Sequence, residues 1–90
     1  MIERTVRVVN KEGIHLRPAE RIAQTAGAFK ASVALRNGDC RVNAKSILGI
    51  LALEAALGAE VTLIAEGPDD QEAAAALEKL FAEGFGEELA

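Results

Sequence analysis

The sequence has no tryptophan and no tyrosine, and its three phenylalanines are the only aromatic residues among 90. A core built from it must be largely aliphatic. Missing aromatic platforms, with 14 acidic against 10 basic residues and a formal net charge of −4, exclude the usual footprint of a nucleic-acid binder. The same balance argues against adsorption to an anionic membrane surface. No apolar run approaches the ~20 residues that span a bilayer. The longest, residues 47–53, is interrupted by Gly49. The first residues pattern as a strand, not as a basic segment followed by an apolar one, so neither a secretion signal nor membrane insertion is expected. The lone cysteine, Cys40, cannot form an internal disulfide and lacks the Cys/His companions of a zinc site. It reads as a small packing residue in a reducing, cytoplasmic setting. No paired-carboxylate motif, glycine-rich phosphate loop or Ser/His/Asp set is present, so no metal or cofactor is expected.

Ninety residues suffice for one domain, 1–90, that buries a core without staples. Residues 2–9 alternate, with Ile2, Val6 and Val8 on one face, as in a half-buried strand. A first helix follows: Ala19, Ile22, Ala23 and Ala26 are spaced to make one apolar face, and Gly27 is a plausible stop. Residues 32–36 alternate again, Asn37-Gly38 signals a two-residue hairpin, and residues 39–43 return with Cys40 and Val42 on one face. Ser46 suits the N-cap of a second helix over residues 47–57, with Gly58 as its stop. Residues 60–66 form a fourth strand, with Val61, Leu63 and Ala65 inward. Asp69, Asp70 and Glu72 crowd the start of a third helix, where negative charge suits the dipole. Residues 85–90 are expected to fray. The order βαββαβα defines a two-layer α+β fold, with three helices covering one face of a four-stranded sheet. Periodicity does not reveal strand order, and pattern alone favours a split-βαβ, ferredoxin-like sheet.

Two features are left over. The second helix is apolar on more than one side: Ile47, Leu48, Ile50, Leu51 and Leu53 cannot all face one core beneath a short surface helix. Either the helix is buried on two sides or part of this surface is an exposed interaction patch, and the small size of the domain favours the patch. The other is Gly13-Ile14-His15-Leu16-Arg17-Pro18-Ala19, which holds the only histidine. Proline is tolerated in a helix's first turn, whose N–H groups lack intrahelical partners. Either Arg17 is the cap with Pro18 first in the helix, or His15 is the cap with Pro18 inside the first turn. In both cases a nucleophilic imidazole and a cation flank a helix start, which is itself an anion site. The combination can accept and hold a phosphoryl group. The plainer reading is a solvated or capping histidine.

The motif from Gly13 to Ala19 resembles the active-site motif of the phosphocarrier HPr family of the bacterial phosphoenolpyruvate-dependent sugar phosphotransferase system. A second motif of that family is matched by Asn43-Ala44-Lys45-Ser46-Ile47-Leu48-Gly49-Ile50-Leu51, and the likeness covers nearly the whole chain. It implies an HPr-like open-faced β-sandwich, with four antiparallel strands and three helices on one side, whose strand order replaces the ferredoxin-like guess. It also implies a monomeric carrier, not an independently acting enzyme. His15 would take phosphate on Nδ1 from phosphorylated enzyme I and pass it to the A domain of an enzyme II. Arg17 would steady the phosphate and Pro18 would set the helix start. Ser46 matches the target of HPr kinase/phosphorylase, against the plainer reading of an N-cap serine that is never modified. Leu16, Ile47, Leu48 and Leu51 would form the docking surface. Leu16 and Glu54 stand where smaller residues are common in the family, and the chain runs a few residues past the usual end. The nitrogen-regulatory branch and a purely regulatory binding module are the alternatives to sugar uptake.

Overall fold

In a computed structural model that describes residues 1–89, the chain forms β1 (Ile2–Arg7), α1 (Leu16–Gly27), β2 (Ser32–Asn37), β3 (Cys40–Asn43), α2 (Ile47–Leu51), β4 (Glu60–Glu66), α3 (Asp70–Ala82) and a 3₁₀ turn at Gly84–Gly86. The sheet order is β1-β4-β2-β3, and every ladder is antiparallel. The βαββαβα open-faced sandwich is present as expected, but the ferredoxin-like order drawn from pattern is not: β4 fills the gap between β1 and β2 and leaves β1 at an edge. The composition of the strands explains this. Val61, Leu63 and Ala65 of β4 are buried beneath the helices, and Ile64 is buried on the opposite face. A strand that is apolar on both sides belongs at the centre. β1 exposes Glu3, Arg4, Thr5 and Arg7, which suits an edge and discourages pairing with other chains.

The alternation in β2 places Val33 and Leu35 in the core with Ile22, Ala26, Leu63 and Leu77. The hairpin lies one residue later than expected. Asn37 pairs with Cys40, so the loop is Gly38-Asp39. Gly38 alone takes positive φ (61°), the pattern of a II′ turn. Asn37 is thereby freed to donate its Nδ2 to the Leu53 carbonyl at 3.1 Å.

That bond helps explain a larger correction. α2 ends at Leu51 and does not continue to residue 57. The carbonyls beyond it bond elsewhere: the Cys40 thiol lies 3.7 Å from the Ala52 oxygen, Asn37 bonds Leu53, and the Ile14 amide donates to Ala55 at 2.9 Å. Leu53 and Ala55 turn inward and are buried. Tertiary hydrogen bonds and burial outweigh helix propensity, which is worth only tenths of a kcal/mol per residue, roughly. Gly58 (φ 88°) therefore serves the turn before β4 and is not a helix stop. Nor is Gly27 a left-handed stop, because α1 includes it and Ala28 caps the helix in a right-handed conformation.

The tail is anchored, contrary to the expectation of fraying over residues 85–90; Ala90 lies outside the described residues. Phe85 is fully buried and packs edge-on against Phe81, with ring centroids 4.8 Å apart. Gly84, Phe85 and Gly86 all take positive φ. A left-handed non-glycine residue costs about 1–2 kcal/mol, whereas burying a phenylalanine contributes about 1.5–3 kcal/mol. Burial holds the turn in place.

Asp69 also departs from the dipole-only expectation. Its carboxylate accepts the amides of Lys30 (2.9 Å) and Ala31 (2.8 Å) and so staples the α1–β2 loop to the start of α3. Gly67 permits this approach, since a Cβ there would lie 2.6 Å from the Ala31 Cα. The hydrogen bond from Lys30, aided by that from Ala31 and opposed by burial, holds Asp69 below the usual carboxylate range. A depressed folded-state pKa means that its stabilisation is complete above the ordinary value near 4, roughly, and is lost as pH falls through the lowered value. Thermal unfolding of Asp69→Ala is expected to show a Tm several degrees below wild type at pH 7, with the gap narrowing at the acid end. An equal gap at both pH values would contradict this linkage.

Candidate functional site

Backbone turns deliver His15 to the surface. The Asn10 carbonyl accepts the Gly13 amide at 3.2 Å, and Gly13 takes φ 70°. A Cβ at Gly13 would lie 2.8 Å from the Ala55 oxygen and 3.0 Å from the Ala56 Cα, so the backbone itself leaves no room. Ile14 is buried and bonds to Ala55, and the chain then emerges at His15. The structure settles the choice left by the sequence: His15 is the N-cap, in an extended conformation, and Pro18 is the third helical residue. The His15 carbonyl accepts the Ala19 amide at 3.0 Å. Pro18 is buried and brings no N–H that would need a partner. No acidic residue of the helix itself occupies the first turn of α1, where the positive end of its dipole lies.

The His15 ring makes no capping bond. Its Nε2 instead lies 2.9 and 3.0 Å from the two carboxylate oxygens of Glu87, and the side chain is 44% exposed. An ionised carboxylate can only accept, so Nε2 must donate. In the neutral ring the proton is therefore on Nε2, and the Nδ1 lone pair is free. Among the described residues no protein group is hydrogen-bonded to Nδ1.

Glu87 is the site residue that sequence reasoning missed. It is held by the fully buried Asn10, whose Nδ2 donates to Glu87 Oε1 at 3.0 Å and to the Gly13 carbonyl at 2.8 Å. Burial disfavours the Glu87 charge, but the hydrogen bonds from His15 and Asn10, with the charges of His15 and Arg17, outweigh it and keep the carboxyl below its usual range. Arg17 is exposed and makes no side-chain hydrogen bond or ion pair among the described residues, which leaves its guanidinium available, with its charge felt at Glu87. The available signal was Phe85 between two glycines, an apolar anchor that could pin a neighbouring acidic residue against the body.

The second predicted cluster lies on α2, which packs against α1. Ser46 is its N-cap, and its Oγ accepts the Gly49 amide at 3.0 Å. Leu48 is 81% exposed, and Leu16 and Ile47 are exposed as well. Leu51 is only half-exposed and packs partly against the core, while Ile50 and Leu53 are buried. The helix thus divides its apolar residues between core and surface. Ser46 is occupied with its own helix and is not hydrogen-bonded to His15 or Arg17. No group of three or more His, Cys, Asp or Glu residues among those described could hold a metal ion, and no described helix is long and apolar enough to cross a membrane.

His15 and Arg17 thus stand exposed together at the start of α1. Comparison with known proteins identifies the family. The family model described as "PTS HPr component phosphorylation site" matches residues 2–83. The phosphocarrier protein HPr of Treponema pallidum is 47% identical over 98% of this chain and all of that protein. The phosphocarrier protein NPr of Escherichia coli K12 is 38% identical over 97% of this chain and 98% of its own. The crystal structure of an HPr from Thermoanaerobacter tengcongensis, 45% identical, superposes with a TM-score of 0.94 over 99% of this chain and 100% of that one. The chain belongs to the HPr family of phosphocarrier proteins of the phosphotransferase system.

Replacement of Gly13 by Ala tests the geometry that delivers the ring. It is expected to destabilise the protein by about 1–3 kcal/mol in chemical denaturation and to shift the amide resonances of His15 and of residues 53–57 together. A stable variant with an unmoved His15 would show that the close approach to Ala55 does not set the site.

Proposed function

We propose that the chain carries phosphate on His15 Nδ1 between phosphorylated enzyme I and the A domain of an enzyme II in sugar uptake. The observation that supports this best is the His15–Glu87 contact, which uses Nε2 and leaves Nδ1 free at the start of α1. Arg17 would hold phosphate oxygens, with a planar fork that matches their geometry. Pro18 sets the helix start without adding a donor that competes with the phosphate. Leu16, Ile47 and Leu48, with a contribution from Leu51, form the docking surface, where apolar contact gives affinity without tying the site to one partner.

The nitrogen-regulatory branch is the second reading, kept open by the 38% identity to NPr over nearly the whole chain and by the bulky Leu16, which could tune partner choice. Transfer from the phosphorylated chain to A domains of the two branches separates them: preferential discharge to the nitrogen-branch domain would displace the sugar reading. For carriage itself, the chain with enzyme I and phosphoenolpyruvate should gain one acid-labile, base-stable phosphate, and His15→Ala should gain none. Phosphate still incorporated in that variant would overturn the assignment of His15.

Ser46 is the proposed regulatory position, a target for HPr kinase/phosphorylase. Its phosphate would place about −1.5 to −2 charge beside the exposed Ile47 and Leu48, which disfavours docking of an apolar partner surface. In Ser46→Asp the KM for phosphotransfer from enzyme I should rise by about twofold to fivefold, the size of one unfavourable exposed charge. An unchanged KM would remove Ser46 from the docking account.

A further inference from the structure

We propose that Glu87 is a positioning residue for phosphoryl transfer at His15: it keeps the proton on Nε2 throughout the cycle and compensates the positive charge that the ring acquires while it carries phosphate. The inference rests on the carrier reading and adds a role for the tail to it. The Nδ1 lone pair attacks the phosphorus of a donor phosphohistidine, the Nδ1–P bond forms, and the electron pair of the breaking P–N bond returns to the donor ring. No proton needs to leave His15. The proton already on Nε2 stays there, and the ring becomes a phosphoimidazolium cation. On release the same pair of electrons returns to Nδ1, and the ring is neutral again with its proton still on Nε2.

The structure places a carboxylate where that charge appears. Both Glu87 oxygens are within 3.0 Å of Nε2, on the side of the ring away from the proposed phosphate position. A carboxylate so placed favours the charged ring of the loaded state and of the transition states on either side of it. It also fixes the tautomer, so that the attacking lone pair is always on Nδ1. The site is arranged for this and is not a chance surface pair. Glu87 is only 18% exposed, and a second donor, Asn10 Nδ2, holds one of its oxygens from within the core. The segment that carries it is fixed at both ends. Phe85 is buried on one side, and on the other the Lys11 amide donates to the Glu88 carbonyl at 3.1 Å and Leu89 bridges to Asn10. The Gly84–Gly86 turn takes a backbone conformation that disfavours phenylalanine, and such strain persists where the surroundings over-determine it. Its result is to point Glu87 back at the ring.

The test separates hydrogen-bond geometry from charge. Glu87→Gln retains an oxygen that can accept from Nε2 but carries no charge; Glu87→Ala removes both. Glu88→Gln, a neighbouring exposed carboxylate paired with Lys11, is the control. Nitrogen-15 NMR of the His15 ring reads the tautomer in the unphosphorylated chain, and single-turnover transfer from phosphorylated enzyme I reads the rate. At a pH where the ring is neutral, wild type and Glu87→Gln should show the proton on Nε2, and Glu87→Ala a mixture of tautomers. At saturating donor, transfer to Glu87→Gln should be about tenfold slower, as expected for one charge-assisted hydrogen bond at a half-exposed site. Its half-saturating donor concentration should be unchanged, and Glu88→Gln should match wild type. Wild-type transfer rates in Glu87→Gln, or a wild-type tautomer pattern in Glu87→Ala, would overturn the proposal while leaving the carrier reading intact. A wild-type chain that accepts no phosphate would overturn both.

Discussion

The buried side chain of Asn10 is the constraint on which the site depends. One nitrogen, Nδ2, holds two things at once: the Gly13 carbonyl, which shapes the turn into α1, and the Glu87 carboxylate, which contacts the His15 ring. The cost is visible, since Asn10 Oδ1 is buried with no protein partner among the described residues. An unsatisfied buried acceptor costs about 1–3 kcal/mol. The Nδ2 bonds, one of them to a charge, offset it and join segments 77 residues apart in sequence. That junction adds a buried side-chain tie to the Phe85 anchor and the backbone bonds that hold the tail, and it fixes the carboxylate that contacts the ring.

The rest of the fold serves to present this junction on an open surface. The start of α1 is exposed at His15, Leu16 and Arg17. The early end of α2 has the same effect. By releasing Leu53 and Ala55 to the core, it leaves a five-residue helix with Leu48 projecting into solvent. In the proposed carrier role both features are needed. A loaded histidine must be reached by successive partners, and a shallow apolar surface gives each of them purchase without enclosing the phosphate.

The sequence made most of the scaffold legible, for identifiable reasons. Val33, Leu35, Val61, Leu63 and Ala65 alternate, and the structure buries them all. Ala19, Ile22 and Ala26 keep helical spacing and lie in the core. Strand order was not legible from spacing, because it depends on β4 being apolar on both faces, a property of one strand relative to its neighbours. The end of α2 was misplaced because partners distant in the chain, Asn37, Cys40 and Ile14, take up the carbonyls that follow it. At the candidate site, the motif pointed to His15, Arg17 and Pro18, and the structure gathers them at the start of α1. Glu87 could not be named: the glycine-flanked Phe85 hints at an anchored tail, but it does not single out one glutamate there as the partner of a ring 72 residues away.

The central claim is that the Glu87 contact leaves Nδ1 as the only nitrogen of His15 free to react. The most direct measurement is the position of phosphorus on the ring, read from nitrogen-15 shifts and nitrogen–phosphorus couplings in the phosphorylated, histidine-labelled protein. Phosphorus on Nδ1 with the proton still on Nε2 is the expected result. Phosphorus on Nε2 would require Glu87 to have left the ring, and would contradict both the site geometry and the role drawn from it.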